Sequence, residues 1–380
     1  MSDDRLSVGV ETGCVAPLKL ERMQMRLSQA LGVDSLFLPD HYVGFVPRSV
    51  WGPDMTPAAR LIPTPDAFFD PYVMMGMMSV LFRGVRIGTG VTEPLRRHPA
   101  TLAQAFVTLD HLTGGRSICG IGNGERENTE PYGIPFVKRV GRLEEALKIM
   151  RLLWESRGEP VDFDGSFWRL KRALFATPLH EGTAPTVWVA AHAPRMLGLT
   201  GRYADGWYPT RKMTPQEYRA SLDTILAAGR AAGRDMSEFE PATQIQLVLG
   251  SSRKAALDEL LKIPATAPMA MLIPGFVWAK HGLRHPLGES FEGFPDFVPE
   301  EVTAEQMESA RRQVTPELLA EGVVAGNVGE VLAEVRALAD AGLRHVVMWN
   351  LTPLARPMGA ADLLRLAVLI RRLRRVRVGG

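Results

Sequence analysis

Ser117–Glu125 reads SICGIGNGE, and the helical-looking VGRLEEALKIMRLLW follows at Val140–Trp154; how this pair is read decides the fold. Its first five residues, Ser117–Ile121, form a short apolar run without alternation. Such runs fit a strand buried on both faces, as in parallel sheets. Gly120, Gly122 and Gly124 then leave bare backbone N–H groups that can face phosphate or carbonyl oxygens. Glu125 closes the run, with Asn128 just beyond, and no Gly-Lys-Ser/Thr follows, so this is not a Walker loop. A buried strand, a glycine turn bearing a carboxylate and an amphipathic helix make one βα unit.

The same unit recurs outward in both directions. Strands are predicted at Leu6–Thr12, Ser35–Pro39, Val85–Val91, Ser117–Ile121, Thr186–Ala191, Gly206–Pro209, Gln244–Leu249 and His345–Leu351. Helices are predicted at Leu18–Leu31, Pro99–Leu112, Val140–Trp154, Thr214–Ala232, Asn327–Ala341 and Ala360–Arg375. Thr214 with Glu217 three positions on reads as a capping box. Eight alternating units read as a closed barrel or a doubly wound sheet. No G-x-G-x-x-G follows the first strand, which weakens a dinucleotide fold. Three stretches break the rhythm: 41–67, rich in Pro, Arg and aromatics; 158–178, a small excursion; and 265–302, which reads as a long loop full of Trp, Phe and Pro. Long loops after barrel strands build the active-site mouth.

Composition sets limits on the rest. The 380 residues are 46% hydrophobic, and Lys+Arg 44 against Asp+Glu 42 gives +2, no support for a nucleic-acid role. Cys14 and Cys119 cannot build a disulfide framework, which points to a reducing, cytoplasmic setting. MSDDRLSVGV lacks the marks of a signal peptide, and the longest apolar stretch, Pro71–Phe82, is too short to span a bilayer. The C-terminal arginines, Arg371 to Arg377, read as the solvated end of a last helix.

Chemistry is expected at the strand ends. Asp40-His41 closes the second strand; the pair can titrate near neutrality or, more simply, start a helix. Gly88–Thr92, GTGVT, closes the third, where glycine lets a flat ring approach the backbone or merely makes a bulge. Glu125 is a general acid or base if burial raises its pKa, and otherwise a surface glutamate. Ala190-Ala191-His192-Ala193-Pro194 closes the fifth strand and opens a helix, an anion site or a tight turn. His281 and His285 stand four apart, but no HExxH surrounds them, so no metal is expected. Met74, Met75, Met77 and Met78 read as core filling.

Taken in order, Asp40-His41, GTGVT, GIGNGE with Asn128, VAAHAP and GRYADGW at Gly201–Trp207 resemble the signature of the luciferase-like monooxygenase superfamily, over essentially the whole chain. That resemblance implies a single (β/α)8 TIM barrel binding coenzyme F420 or FMN. The Asp-His pair with G-x-G-E is similar to the F420-dependent branch. DHYVGFVPRS, GERENTEPYG, WVAAHAPRMLGLTGRYAD and WAKHGLRHPLGESFEG resemble the mycobacterial phthiodiolone/phenolphthiodiolone dimycocerosates ketoreductases.

By this likeness, His41 and Glu125 flank a reacting carbonyl, and one of them donates the proton. Gly90 and Val91, joined by a non-proline cis peptide, back the ring, with Thr92, Gly122 and Asn123 beside them. Asp40 and Asn128 bond its edge, and Ala190, Ala191, His192 and Ala193 take the phosphate. Phe45, Trp51, Trp278 and His281 are expected to meet a large apolar or lipid substrate, together with Phe68, Phe69 and Phe276. The sugar-phosphate dehydrogenases of this branch carry Trp where Phe45 stands, and only Lys212 is a candidate for their basic cluster. A homodimer is the family habit. An FMN-dependent monooxygenase and a non-catalytic cofactor- or lipid-binding barrel are the competing readings.

Overall fold

The computed structural model describes residues 4–379. Eight parallel strands close on themselves: β1 (Ser7–Glu11), β2 (Ser35–Leu38), β3 (Arg86–Thr89), β4 (Ser117–Ile121), β5 (Thr186–Val189), β6 (Gly206–Trp207), β7 (Glu240–Leu249) and β8 (His345–Asn350). Each pairs with its neighbours in sequence, and β8 returns to β1 with Ser7 opposite His345. The doubly wound alternative is thereby excluded, because such a sheet keeps two open edges. β7 begins at Glu240, four residues before the apolar run, because Pro241 and Thr243 share its buried environment.

The barrel interior is plugged by large side chains from several strands. Phe37 stacks on Tyr208 and Trp188, with ring centroids 5.3 and 5.5 Å apart. Below them lies a polar chain made by the first residues of four strands. Ser35 Oγ meets His345 Nε2 at 2.7 Å, His345 Nδ1 meets Glu240 Oε1 at 2.9 Å, and Arg86 donates to Glu240 Oε2 at 2.6 Å. Burial alone would raise the Glu240 carboxyl, but Arg86 and His345 outweigh it and hold it at about 2. Ser35 and His345 are fully buried, so the chain ties the barrel base together.

The outer helices form where expected, with ends set by capping. Thr214 and Glu217 make the capping box of Pro215–Ala231. The apolar stretch after Asp70 is itself a helix, Pro71–Leu81, capped by Asp70. It buries Met74, Met75 and Met78 and turns Val73 and Val80 outward. The excursion at 158–178 contains an antiparallel hairpin, Val161–Asp164 with Arg169–Ala173.

The stretch 265–302 is not the single loop its composition suggests. It holds helices Thr266–Met271 and Gly275–Lys280, and Ala304–Gln313 and Pro316–Gly322 continue the layer. These elements cap the C-terminal end of the barrel and carry their own apolar core, including Met271, Trp278, Phe297 and Leu318. Ion pairs tie the lid to the barrel loops: Arg126 to Glu301 at 3.1 Å and Arg139 to Glu292 at 3.0 Å. Two expectations fail here. Trp278 is fully buried, donates to Ala270 O at 3.2 Å and packs on His285, so it is a core residue of the lid. His281 pairs with Glu321 at 3.1 Å and does not line the cavity. A lid of short helices needs large aromatics inside it, and Trp278 is taken for that purpose.

Candidate active site

A cavity of about 780 Å³ opens between the C-terminal strand ends and the lid. At a strand end the side chain after the last ladder bond is free to turn inward, and β1 to β5 all deliver residues this way. Asp40, His41, Gly90, Val91, Thr92, Gly122, Asn123, Glu125, Asn128, Ala190, His192 and Ala193 all line it, as do Phe45 and Trp51. Ala191 does not: it is buried behind the cavity, where its carbonyl accepts from Trp207 Nε1 at 2.8 Å. Phe69 likewise packs into the barrel core, whereas Phe68 and Phe276 reach the cavity.

Asp40 does not start a helix. Its Oδ2 accepts from Thr92 Oγ1 at 2.6 Å, and Arg96 lies 3.2 Å from Oδ1. Thr92 in turn accepts from Tyr72 at 2.8 Å. This network fixes the loop that carries His41. The ring of His41 sits against Phe45, with centroids 4.9 Å apart, and its side chain is only 8% exposed. Burial lowers its pKa, so the ring is neutral at physiological pH.

Glu125 follows Gly124, whose φ of 88° is open to glycine at little cost and turns the chain so that the carboxyl faces His41. Its Oε2 lies 3.5 Å from His41 Nε2. Burial, and then the neighbouring Glu127, push Glu125 up to about 8. It therefore carries a proton at neutral pH, as a general acid must. Glu127, which sequence reasoning missed, is fully buried with Oε1 3.2 Å from His41 Nδ1. Burial pushes it to about 8 as well. His41, Glu125 and Glu127 bring ligand atoms within 4.8 Å of one another. The available signal was its place two residues after Glu125 in a turn already marked for chemistry.

Gly90 and Val91 are joined by a cis peptide, as the resemblance implied. A Cβ on Gly90 would lie 2.5 Å from Glu11 Oε2, so no side chain fits between the peptide and Glu11. Glu11, the last residue of β1 and also missed, accepts from Gln244 at 2.7 Å and Tyr208 at 3.0 Å, and burial pushes it to about 8. The floor is thus a flat backbone surface backed by polar groups.

The fifth strand end supplies unpartnered donors. Thr210 and Arg211 N–H groups point at His192 Nε2, each at 3.4 Å, which makes that nitrogen the acceptor and puts the proton on Nδ1. His192 Nδ1 and Arg211 Nε are both buried without a partner. Burial and Arg211 push His192 down to about 3, so it is a neutral donor. The helix Pro194–Tyr203 starts beside it without a side-chain cap. Ala190 N–H is already donated to Ile121 O at 2.9 Å. Lys212 is engaged by Glu334 at 2.7 Å and by two lid carbonyls. A phosphate-bearing flat ring matches this set: a bare peptide for the ring, and buried orphan donors for the phosphate.

Fold and site define a (β/α)8-barrel enzyme with a carboxylic acid and a neutral histidine poised over a planar floor. The chain belongs to the luciferase-like monooxygenase family, which it matches over residues 5–345, and is an oxidoreductase. It is 39% identical over 331 residues to the phthiodiolone/phenolphthiodiolone dimycocerosates ketoreductase of Mycobacterium tuberculosis, covering 87% of each chain. It is 31% identical over 271 residues to the F420-dependent glucose-6-phosphate dehydrogenase of Rhodococcus erythropolis, covering 69% of this chain and 72% of that one. Among solved structures, an F420-dependent secondary alcohol dehydrogenase in complex with an F420-acetone adduct superposes with a TM-score of 0.73 at 21% identity, over 97% of this chain and 99% of that one. No helix among the described residues is long and apolar enough to cross a membrane.

Proposed function

We propose that the protein is a coenzyme F420-dependent ketoreductase, interconverting a keto group and a secondary alcohol on a large apolar, lipid-like substrate such as a phthiodiolone dimycocerosate. The observation that carries the reading is Glu125, a carboxyl pushed up to about 8 beside neutral His41 in a cavity lined by Phe45, Trp51, Phe68 and Phe276. The 39% identity to a ketoreductase over 87% of the chain supports it. Bound on the Gly90-Val91 floor, reduced F420 would supply the hydride. Gly122 and Asn123 would flank its ring, while His192, Arg211 and the backbone at Ala193 would hold its phosphate. Reduction adds hydride to the carbonyl carbon and a proton to its oxygen. Glu125 gives that proton, and His41 hydrogen-bonds the same oxygen. Phe45, Trp51, Phe68 and Phe276 receive the apolar body of the substrate, and the lid excludes water.

The engaged Lys212 argues against a sugar-phosphate substrate. The free, buried Cys14 and Cys119 suit a cytoplasmic, reducing setting. The exposed row Val73 and Val80 on one outer helix suits a homodimer.

The test is a fluorescence titration with F420 and with FMN, followed by turnover of ketones and secondary alcohols. F420 binding at least about tenfold tighter than FMN, with hydride transfer and no oxygen uptake, is expected; about 1.4 kcal/mol separates the two. FMN preference with oxygen consumption would replace this reading by a flavin monooxygenase. Tight binding of cofactor or lipid with no turnover would make the barrel a carrier. Arg211→Ala should weaken F420 binding, because it removes a half-buried cation whose Nε has no partner.

A further inference from the structure

The rear side of His41 is specified atom by atom. Tyr42 N–H donates to Asn128 Oδ1 at 2.8 Å, which fixes the amide with its nitrogen toward His41. An amide nitrogen can only donate. Asn128 Nδ2 lies 2.9 Å from His41 Nδ1, so Nδ1 accepts and is bare of a proton. The proton of the neutral ring is then on Nε2. Nε2 faces Glu125 Oε2 at 3.5 Å, too long for a firm hydrogen bond, which leaves its N–H available to a ligand atom.

Glu127 completes the arrangement. Its Oε1 is 3.2 Å from His41 Nδ1 and 3.0 Å from Asn128 Nδ2. Asn128 takes the one Nδ1 lone pair and donates its other N–H to Glu127 Oε1; a charged carboxylate oxygen 3.2 Å from that lone pair would be repelled by it, so the neutral acid is the form that fits beside a bare Nδ1. Glu127 Oε2 is buried without a partner. That is tolerable for the carbonyl oxygen of a neutral acid and costly for a carboxylate.

We propose that Asn128 and Glu127 are positioning residues that lock His41 in its Nε2–H tautomer, so that His41 meets the substrate oxygen as a fixed hydrogen-bond donor while the transferable proton stays on Glu125. The inference rests on the ketoreductase reading for what the donor meets, but not for the tautomer itself. It also moves Asn128 from the cofactor edge, where the resemblance put it, to the back of the histidine. Both of its side-chain atoms are committed there.

The experiment is a two-bond nitrogen–proton spectrum of the full chain with labelled histidine at pH 7, without cofactor and with F420. His41 is assigned by the signals that vanish in His41→Gln. The expected wild-type pattern is a protonated Nε2 and a bare Nδ1. Asn128→Asp puts an acceptor at Nδ1 and should move the proton there or charge the ring. It should also lower kcat for ketone reduction on the order of 100-fold, with KM changed less than about threefold. Glu127→Gln keeps a neutral oxygen that accepts from Asn128 and should keep the Nε2–H pattern, whereas Glu127→Leu removes that acceptor and should broaden or shift it.

A wild-type His41 protonated on Nδ1, or on both nitrogens, overturns the proposal, and so does an Asn128→Asp spectrum identical to wild type. If Asn128→Asp does not fold, the wild-type spectrum alone decides. The expected tautomer in a protein that fails to bind F420 would sink the cofactor reading and leave this one standing.

Discussion

Glu127→Gln should make the protein more stable above neutral pH, not less. The carboxyl is fully buried, and burial raises it from an ordinary 4.5 to about 8. Below pH 4.5 both the folded and the unfolded chain hold the proton, and nothing is lost. Between 4.5 and about 8 the unfolded chain releases a proton that the folded chain keeps, so each rise in pH favours unfolding. At roughly 1.4 kcal/mol per pH unit the full interval amounts to about 5 kcal/mol. Glu125 and Glu127 are coupled, Glu127 pushing Glu125 up while a hydrogen bond from Glu125 holds Glu127 down, so removing one of the two recovers only part, roughly 2–3 kcal/mol. Glutamine has the same shape and its amide oxygen can accept from Asn128 Nδ2 as Glu127 Oε1 does, so little is lost in exchange. The assay is denaturant unfolding of wild type and Glu127→Gln from pH 4.5 to 8.5. The two should coincide near pH 4.5 and diverge steadily up to pH 8. A stability difference that does not change with pH, or a variant less stable at pH 8, would refute the claim that Glu127 is a buried neutral acid.

Three further outcomes follow from the same geometry. Glu125→Gln should lower ketone reduction roughly 10²–10⁴-fold while F420 affinity stays within about threefold; in the wild type, reduction should fall as pH rises through about 8, where Glu125 loses its proton, and a flat profile there would remove Glu125 as the acid. Glu240→Gln should cost roughly 3 kcal/mol at pH 7, since a carboxyl held at about 2 stabilises the fold above its ordinary 4.5 and loses that contribution as pH falls from 4.5 toward 2; a penalty of the same size at pH 3 and pH 7 would contradict this. For the homodimer proposed above, twice 41.8 kDa, Val80→Asp should give a particle of 41.8 kDa in light scattering, because Val80 is 66% exposed on an apolar helix face; a wild-type monomer would rule out the dimer.

Much of the barrel was legible because parallel strands buried on both faces leave a signature of short apolar runs, each followed by a helical period. The run Ser117–Ile121 is a strand from its first residue to its last. The lid was not legible. Its helices are six to ten residues long, too short for a period to emerge above composition, and Pro274, Pro295 and Pro299 interrupt the stretch. Trp278 and His281 were misplaced for the same reason. Without the helix geometry, an aromatic in a Pro-rich stretch looks the same whether it faces a ligand or its own core.

The sequence by itself determined which residues stand at the strand ends: Asp40-His41, Gly90-Val91, Glu125 and His192 are close in the chain to the runs that carry them, and the barrel rule sends them all to one mouth. Only the tertiary structure decided what those residues are. Glu11 lies under Gly90, Glu127 and Asn128 reach His41 across more than 80 residues of chain, and Arg211 closes on His192. Protonation depends on burial and on neighbours within a few ångströms, and neither is a property of local sequence. The same Glu-Arg-Glu in an open turn would be two ordinary carboxylates; folded into the barrel mouth, with Glu127 buried and Glu125 half-buried beside it, both are pushed up to about 8.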